Sequence, residues 1–296
     1  MTNPLTDAQP LTTPDGRRLD LYVAGPDGGE TIVFIPGTPS GGLPYPTLVE
    51  AAAARGLRTV SWSRPGYGSS TRQEGRDVAA VATDTATILD HLGVELCHAI
   101  GWSGGGPHVL AAAALLPERI RAVATIGGVA PYPADGLDWT AGMGAENVTE
   151  FGRTLQGPEA LLPFMEPKRQ QMMSVTADEV AAAFGDLIDA VDRGSLTGAF
   201  AEWMAALMRE ALRVGYWGWF DDDLAFVHPW GFDLASLRVP VHIWQGRHDR
   251  MVPFAHGEWL AAHIPSACPH LSDEHGHFTL VVDSIPQILN ELIAAR

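Results

Sequence analysis

The chain has 296 residues, of which 46% are hydrophobic and 18% charged, and its formal net charge is −16 at pH 7. This composition indicates a globular protein with one large core, or one core with an inserted subdomain, and excludes a disordered chain. The acidic balance argues against nucleic acid and against anionic membrane surfaces as partners. We expect a small-molecule substrate, and the sequence leaves the oligomeric state open.

Location and cofactors are predicted from what the sequence lacks. Its two cysteines, Cys97 and Cys268, form no disulfide framework, which suits a reducing compartment. Residues 1–14 carry no signal peptide pattern, and no uninterrupted apolar run approaches the roughly 20 residues of a membrane span. His275 and His277 are too close in sequence to form a zinc site by themselves. We therefore expect a cytoplasmic protein without a membrane segment, a metal or a cofactor.

Strands and helices alternate through the first part of the chain. Residues 17–24 alternate polar and apolar side chains after a Pro-Asp-Gly turn, which predicts an antiparallel edge strand. Continuous apolar runs predict strands that are covered on both faces. The alternation indicates a parallel sheet with helices on both sides. The predicted strands are 31–35, 58–62, 94–100 and 120–126, and the predicted helices are 46–54, 78–92 and 109–116.

The alternation stops after Gly128. Residues 131–237 contain helical patterns, including amphipathic stretches at 177–192 and 199–214, and no convincing strand. A segment of this length is too long for a loop in a compact domain, so it is interpreted as a helical insertion that caps the sheet. A strand pattern resumes at 239–244. A helix, a short segment at 269–271 and a closing helix over 285–295 are predicted after it.

One motif stands where a strand passes into a helix, and it reads Gly101-Trp102-Ser103-Gly104-Gly105. A serine between glycines at such a junction is typical of a nucleophile elbow. The turn is tight, so the serine takes a strained conformation and its neighbours must be nearly without side chains. The hydroxyl then stands clear of the backbone, and the N–H groups that follow point toward developing negative charge.

With two further motifs, the chain resembles the α/β-hydrolase superfamily from about Arg17 onward. These motifs are Gly246-Arg247-His248-Asp249-Arg250-Met251-Val252-Pro253 and Gly276-His277-Phe278. The resemblance implies a mostly parallel central sheet flanked by helices, with an all-helical cap inserted after the sixth strand. The corresponding domains are a core of residues 1–130 and 238–296 and a cap of residues 131–237.

The resemblance also assigns roles to residues. Ser103 matches the nucleophile, Asp249 the acid after the seventh strand and His277 the base, while the backbone N–H groups of Thr38 and Gly104 match the oxyanion hole. The chemistry of these residue types agrees, because a serine hydroxyl needs a base and an imidazole titrates near neutral pH. The sequence departs from the family at Pro36, which replaces the usual histidine and leaves the bracing of that loop open. Ser63 stands where many relatives have aspartate.

Other polar and aromatic residues have more than one interpretation. His108 is expected to be a packed histidine, and His275 a surface residue. The Asp221-Asp222-Asp223 run is most simply a solvated helix end or N-cap, with a cap carboxylate that binds a substrate amine as the alternative. Three tryptophans are candidates for substrate binding, namely Trp102, Trp217 and Trp219.

The leading functional hypothesis is a serine hydrolase that cleaves a small or medium apolar carboxylic ester through an acyl-enzyme on Ser103. A second is an aminopeptidase resembling proline iminopeptidases, although those have tryptophan after the elbow serine and here Trp102 precedes it. A third is a ligand-binding or receptor-like protein with vestigial catalysis. Lyase, C–C hydrolase and acyl-transfer chemistry also stay open, because fold does not fix reaction. Epoxide and haloalkane hydrolysis are disfavoured, since the elbow carries serine and not aspartate.

Overall fold

A single eight-stranded sheet organises the computed structural model, which describes residues 7–295. The strand order is β1-β2-β4-β3-β5-β6-β7-β8; β1–β2 and β2–β4 pair antiparallel and the remaining pairs are parallel. The strands are β1 Gln9–Thr12, β2 Arg18–Ala24, β3 Glu30–Ile35, β4 Leu57–Ser63, β5 Cys97–Trp102, β6 Ile120–Ile126, β7 Val241–Gly246 and β8 Ala267–Ser272.

The edge of the sheet differs from the sequence prediction. Residues 18–24 do form an antiparallel strand, but β1 pairs with it and takes the edge position. The alternation in β2 therefore does not mark an edge strand. Part of the signal peptide prediction falls on residues 1–6, which lie outside the described residues.

Helices cover both faces of the sheet, as the continuous apolar strands require. One apolar core packs α2, α3 and α10 against the sheet, and a second packs α1 and α11 against its other face. The helices are α1 Pro46–Ala53, α2 Val81–His91, α3 Gly105–Leu115, α4 Ala145–Thr154, α5 Pro158–Ser174, α6 Val180–Ala183, α7 Ala190–Ser195, α8 Gly198–Leu212, α9 Trp217–Val227, α10 Phe254–His263 and α11 His277–Ala294.

The segment between β6 and β7 contains six of these helices, α4 to α9, and no strand among its described residues. The amphipathic helix predicted over 177–192 is wrong in detail. It is broken into 3₁₀ turns at Ala177–Glu179 and Gly185–Leu187, with α6 and α7 beside them. The segment shares an apolar core with the sheet, where Trp203 of α8 stacks 6.1 Å from Trp102 between ring centroids. The division into a core domain and a cap domain stays a prediction.

No helix within residues 7–295 is both long enough and apolar enough to cross a lipid bilayer.

Candidate active site

Ser103 occupies the turn between β5 and α3. Its φ is +54°, and it is the one residue other than glycine in the described chain with a positive φ. The turn is held because the N–H of Ser103 donates to Ile126 O at 2.7 Å and the N–H of Gly106 donates to Ser103 O at 2.8 Å. A Cβ at Gly105 would lie 2.0 Å from Ile35 O, so a side chain there would displace the backbone of β3. The glycines thus allow the strained serine conformation that the sequence predicts.

Asp249 and His277 meet behind this turn. His277 Nδ1 lies 2.7 Å from Asp249 Oδ2, and both side chains are buried. Asp249 Oδ1 also accepts the N–H groups of Met251 and Val252, at 2.9 and 2.7 Å. Burial alone would lower the pKa of His277, but the charge and hydrogen bond of the Asp249 carboxylate outweigh it and the pKa is raised.

The position of His277 in the chain differs from the prediction. The sequence indicates a loop up to a closing helix at 285–295, whereas α11 begins at His277 itself. The histidine is therefore fixed by the first turn of a helix, and Gly276 precedes it with an extended backbone.

One cavity brings most of the predicted site residues together. Its wall contains Ser103 and His277 with Thr38, Gly104, Trp102 and Trp219. Trp217 does not line this cavity. Its side chain is 37% exposed and lies under the guanidinium of Arg72, with 3.9 Å from Arg72 Cζ to the ring centroid. Side chains two positions apart in a helix point about 200° away from each other around its axis. Only one of these two tryptophans could therefore face the site.

The loop that carries Thr38 is braced by Arg64, which follows β4. Its guanidinium donates to Pro36 O at 2.5 Å, to Gly37 O at 2.9 Å and to Thr38 Oγ1 at 3.0 Å. The open question at Pro36 is answered by these contacts, because the arginine binds the loop carbonyls directly. Thr38 Oγ1 also donates to Asp222 Oδ2 at 2.6 Å, which joins the loop to α9.

The expectation of a solvated Asp221-Asp222-Asp223 run is wrong, since all three side chains are buried. Asp222 accepts hydrogen bonds from Arg64 and Arg76, at 2.6 and 2.5 Å, and from Tyr67 at 2.8 Å. Burial alone would raise the pKa of Asp222, but the two arginines hold it well below its usual range. Asp221 and Asp222 can be buried because the loop after β4 supplies arginines, which the sequence pattern of α9 alone does not reveal.

His108 lies on the same cluster and is packed, as the sequence indicates. Its Nε2 is 3.3 Å from Asp222 Oδ1, and burial lowers the pKa of His108 to about 4. The ring is therefore neutral near pH 7, as Asp222 already has two cationic partners.

Asp192 of α7 was not identified from the sequence. Its buried carboxylate accepts the backbone N–H groups of His277, Phe278 and Thr279, at 2.7, 2.8 and 2.9 Å. These are the first three N–H groups of α11, which have no partner within the helix. A side chain from the segment between β6 and β7 therefore caps the helix that presents His277. No local sequence pattern indicates this role, because Asp192 and His277 are 85 residues apart.

The wall of the cavity combines apolar and acidic side chains. Apolar groups include Phe151, Met204, Met208 and Phe226. The charged groups on the wall, apart from His277, are three acids, Glu146, Glu150 and Asp223, and no lysine or arginine of the described chain lines it. The sequence patterns of α4 and α9 do not predict this acidic lining.

A separate group of side chains could hold a metal ion. His242 Nδ1 and His270 Nε2 lie 3.0 and 2.8 Å from Glu291 Oε2. The three residues come from β7, β8 and α11, so no local spacing marks them in the sequence. His242 is the second residue of β7, at the end of the strand opposite Asp249. The group therefore has no part in the site around Ser103. The contacts of the two histidines with Glu291 explain why the three side chains lie close together.

The comparisons with known proteins concern the family and the fold. The sequence profile of a family described as alpha/beta hydrolase fold matches residues 30–284. A 2-hydroxy-6-oxononadienedioate/2-hydroxy-6-oxononatrienedioate hydrolase from Pseudomonas putida is 27% identical over 271 residues, covering 85% of this chain and 82% of that protein. A 2-hydroxymuconate semialdehyde hydrolase from Pseudomonas putida is 26% identical over 269 residues, covering 90% and 86%.

Among solved structures, a bromoperoxidase from Bacillus anthracis is similar with a TM-score of 0.71 and 20% identity, covering 96% of this chain and 99% of that one. An esterase from Exiguobacterium antarcticum is similar with a TM-score of 0.67 and 18% identity, covering 97% and 100%. Identities this low show the fold alone. Because the family profile spans most of the chain and the sheet has the order described above, this chain belongs to the alpha/beta hydrolase fold family.

Proposed function

We propose that the protein is a serine hydrolase that cleaves a small or medium apolar carboxylic ester. The observation that carries the proposal is the strained Ser103, which shares one cavity with a buried His277–Asp249 pair. A positive φ at a residue other than glycine is costly, so it indicates a position kept for function. The largely apolar wall suits an apolar acyl or alcohol group.

In this mechanism, Ser103 Oγ attacks the ester carbonyl carbon as its proton passes to His277. Asp249 accepts a hydrogen bond from Nδ1 of the imidazole, which leaves Nε2 to receive that proton. The oxyanion is bound by the N–H groups of Thr38 and Gly104, each worth about 3–4 kcal/mol. The imidazolium then gives the proton to the leaving alcohol as the C–O bond breaks. Water attacks the acyl-enzyme with His277 again as base, and the acid product leaves.

The charge of the cavity favours this substrate class over that of the sequence relatives. The Pseudomonas putida protein named above is a hydrolase of a dienedioate, which carries two carboxylates at neutral pH. The wall of this cavity carries three acids, and no lysine or arginine of the described chain lines it to receive such a dianion. An ester without carboxylates needs no such cation.

The test begins with covalent labelling by a fluorophosphonate and a panel of p-nitrophenyl esters of increasing chain length. A 2-hydroxy-6-oxo dienedioate and amino-acid naphthylamides are assayed alongside. We expect labelling and ester turnover, with loss of both in Ser103→Ala. Preferential cleavage of the dienedioate would contradict the proposal in favour of C–C hydrolysis, and preferential naphthylamide cleavage would favour an aminopeptidase. Labelling without any turnover would favour the receptor-like alternative.

The two tryptophans of α9 provide a matched pair for the pocket. Trp219 lines the cavity and Trp217 does not. Trp219→Ala should therefore change the preference between short and long neutral esters by about 1–3 kcal/mol, whereas Trp217→Ala should leave it unchanged. Equal chain-length profiles for the two variants would contradict the proposed pocket.

The remaining expectations follow from the proposed chemistry. Acyl transfer through serine and histidine needs no cofactor, and the partner proposed is the small-molecule substrate. The net charge of −16 supports the absence of nucleic acid and membrane partners. The cytoplasmic location stays a prediction.

A further inference from the structure

Three consecutive aspartates on α9 have different surroundings. Asp221 accepts two hydrogen bonds from Arg72, both at 2.9 Å. Asp222 is paired with two arginines, as described above. Asp223 is only 1% exposed, and neither of its oxygens accepts a hydrogen bond from a donor in the described chain. A buried carboxyl group that receives no hydrogen bond is costly, so its retention at the cavity wall points to a ligand.

The polar partner of Asp223 is another acid, Glu150 of α4, and the two carboxyl groups share a hydrogen bond. Helices α4 and α9 pack together, and both side chains line the cavity. Glu150 Oε1 accepts one hydrogen bond, from Trp219 Nε1 at 2.5 Å. Burial is the main cause that raises the pKa of Glu150 to about 7, and burial beside Glu150 raises that of Asp223 well above its usual value.

The charge of Lys168 acts on Glu150, but its ammonium group binds Glu146, one turn earlier in α4. Glu150 and Asp223 therefore form a buried acidic pair that the described chain supplies with no cation of its own. A cation brought by a ligand would be stabilised strongly there, since the site is shielded from water.

Asp223 is displaced along α9 from the reacting centre. Trp219, Asp223 and Phe226 follow each other at intervals of four and three residues, so they share the helix face that lines the cavity. The ring of Phe226 reaches the predicted oxyanion hole, since a Cβ at Gly104 would lie 3.0 Å from its Cζ. Three residues of helix rise about 4.5 Å, so Asp223 is about one turn farther along α9.

We propose that Glu150 and Asp223 form a subsite for a protonated primary amine at one end of an otherwise apolar ester, a few bonds from the scissile bond. This inference rests on the proposed function for its place in catalysis, but the binding itself does not depend on turnover. A primary ammonium has three N–H donors and can reach an oxygen of each carboxyl group. A quaternary ammonium has the same charge and no donor, so it would donate no hydrogen bond to the oxygens of Asp223.

The binding arm uses isothermal titration calorimetry on the whole protein with hexylamine, hexan-1-ol and hexyltrimethylammonium. We expect hexylamine to bind roughly tenfold or more tightly than either analogue, and Asp223→Asn or Glu150→Gln to remove that preference. Asp221→Asn is the matched control, because Asp221 faces Arg72 and does not line the cavity. The preference should persist in this variant.

The turnover arm compares p-nitrophenyl esters of ω-aminoalkanoic acids with methyl-terminated esters of the same length. We expect a higher kcat/KM for the amino esters at one chain length, and loss of that advantage in Asp223→Asn. Equal binding of hexylamine and hexan-1-ol to the unaltered protein would overturn the subsite whether or not the protein hydrolyses esters. Selective amine binding without fluorophosphonate labelling would instead overturn the proposed hydrolase and leave the subsite supported.

Discussion

The cap that Asp192 provides for α11 makes a strong prediction for Asp192→Ala. The substitution removes the acceptor of three N–H groups, the buried ones of His277 and Phe278 and the half-buried one of Thr279. Each buried donor left without a partner costs about 1–3 kcal/mol. The cost of burying the carboxylate disappears at the same time, and water can enter part of the vacated space. We therefore expect a net loss of about 3 kcal/mol in the free energy of unfolding, which is what one to two unsatisfied donors would cost.

Both stability and catalysis report this change. A loss of about 3 kcal/mol corresponds to a decrease of roughly 6–12 °C in Tm for a chain of this size. Since one of the three donors is the backbone N–H of His277, the imidazole should shift, and kcat on an ester substrate should fall about 10- to 100-fold. Thermal unfolding followed by circular dichroism and steady-state kinetics measure the two effects.

Two further variants separate the cap from a general loss of charge. Asp192→Asn keeps one acceptor oxygen and should give an intermediate decrease in Tm. Asp178→Asn removes an exposed acid of the same segment and should change neither quantity. An Asp192→Ala variant that melts within about 2 °C of the unaltered protein would contradict the capping role of Asp192, because the loss of one buried hydrogen bond alone should exceed that shift.

Other expectations concern the reacting groups and the acidic pair. Ser103→Ala should lose fluorophosphonate labelling and reduce turnover by about 10⁴–10⁶; a tenth of the activity would exclude Ser103 as nucleophile. His277→Ala should lower kcat at least roughly a thousandfold, and His275→Ala at most about tenfold; the reverse order would overturn the assignment. Asp249→Asn should approach the loss for His277→Ala in the same assay.

Because the pKa of His277 is raised, kcat/KM should fall on the acid side with an apparent pKa above the usual value of about 6.5, as the imidazole is protonated; a limb below that value in the pH profile would contradict this. The pKa of Glu150 rises from 4.5 to about 7 on folding, so the folded state binds more protons in this window and stability falls as pH rises through it. Glu150→Gln should reduce that fall, measured as Tm across this pH range.

The sequence patterns predicted the parts of this fold that depend on neighbouring residues. Continuous apolar runs indicated the inner strands, and the glycines around Ser103 indicated the tight turn, because both patterns arise within a few residues. The first residue of α11 was missed for a different reason. Its N-terminal N–H groups are capped by Asp192, and a helix start that depends on a distant acceptor carries no local capping signal.

The burial of the aspartates of α9 also depends on residues that are distant in the sequence. Consecutive aspartates normally indicate a solvated surface. Here Asp221 and Asp222 are buried because they pair with Arg64, Arg72 and Arg76, more than 140 residues earlier. The helical insertion was visible as a long stretch without strand patterns, but its breaks between 177 and 192 were not. Those breaks lie where α6 and α7 pack against α8 and α11, and such contacts are not encoded in the period of a single segment.

The buried carboxylate of Asp222 ties α9 to the loop that holds Thr38, through Arg64 and through Thr38 itself. A rigid swing of α9 away from the sheet would have to break these bonds together and leave charges unpaired in the interior. Local opening of α9 should therefore be as rare as opening of the loop, and the two should exchange their amide hydrogens as one cooperative unit. Access for substrate must then come from segments that carry no such anchor, and α9 acts as the fixed side of the entrance.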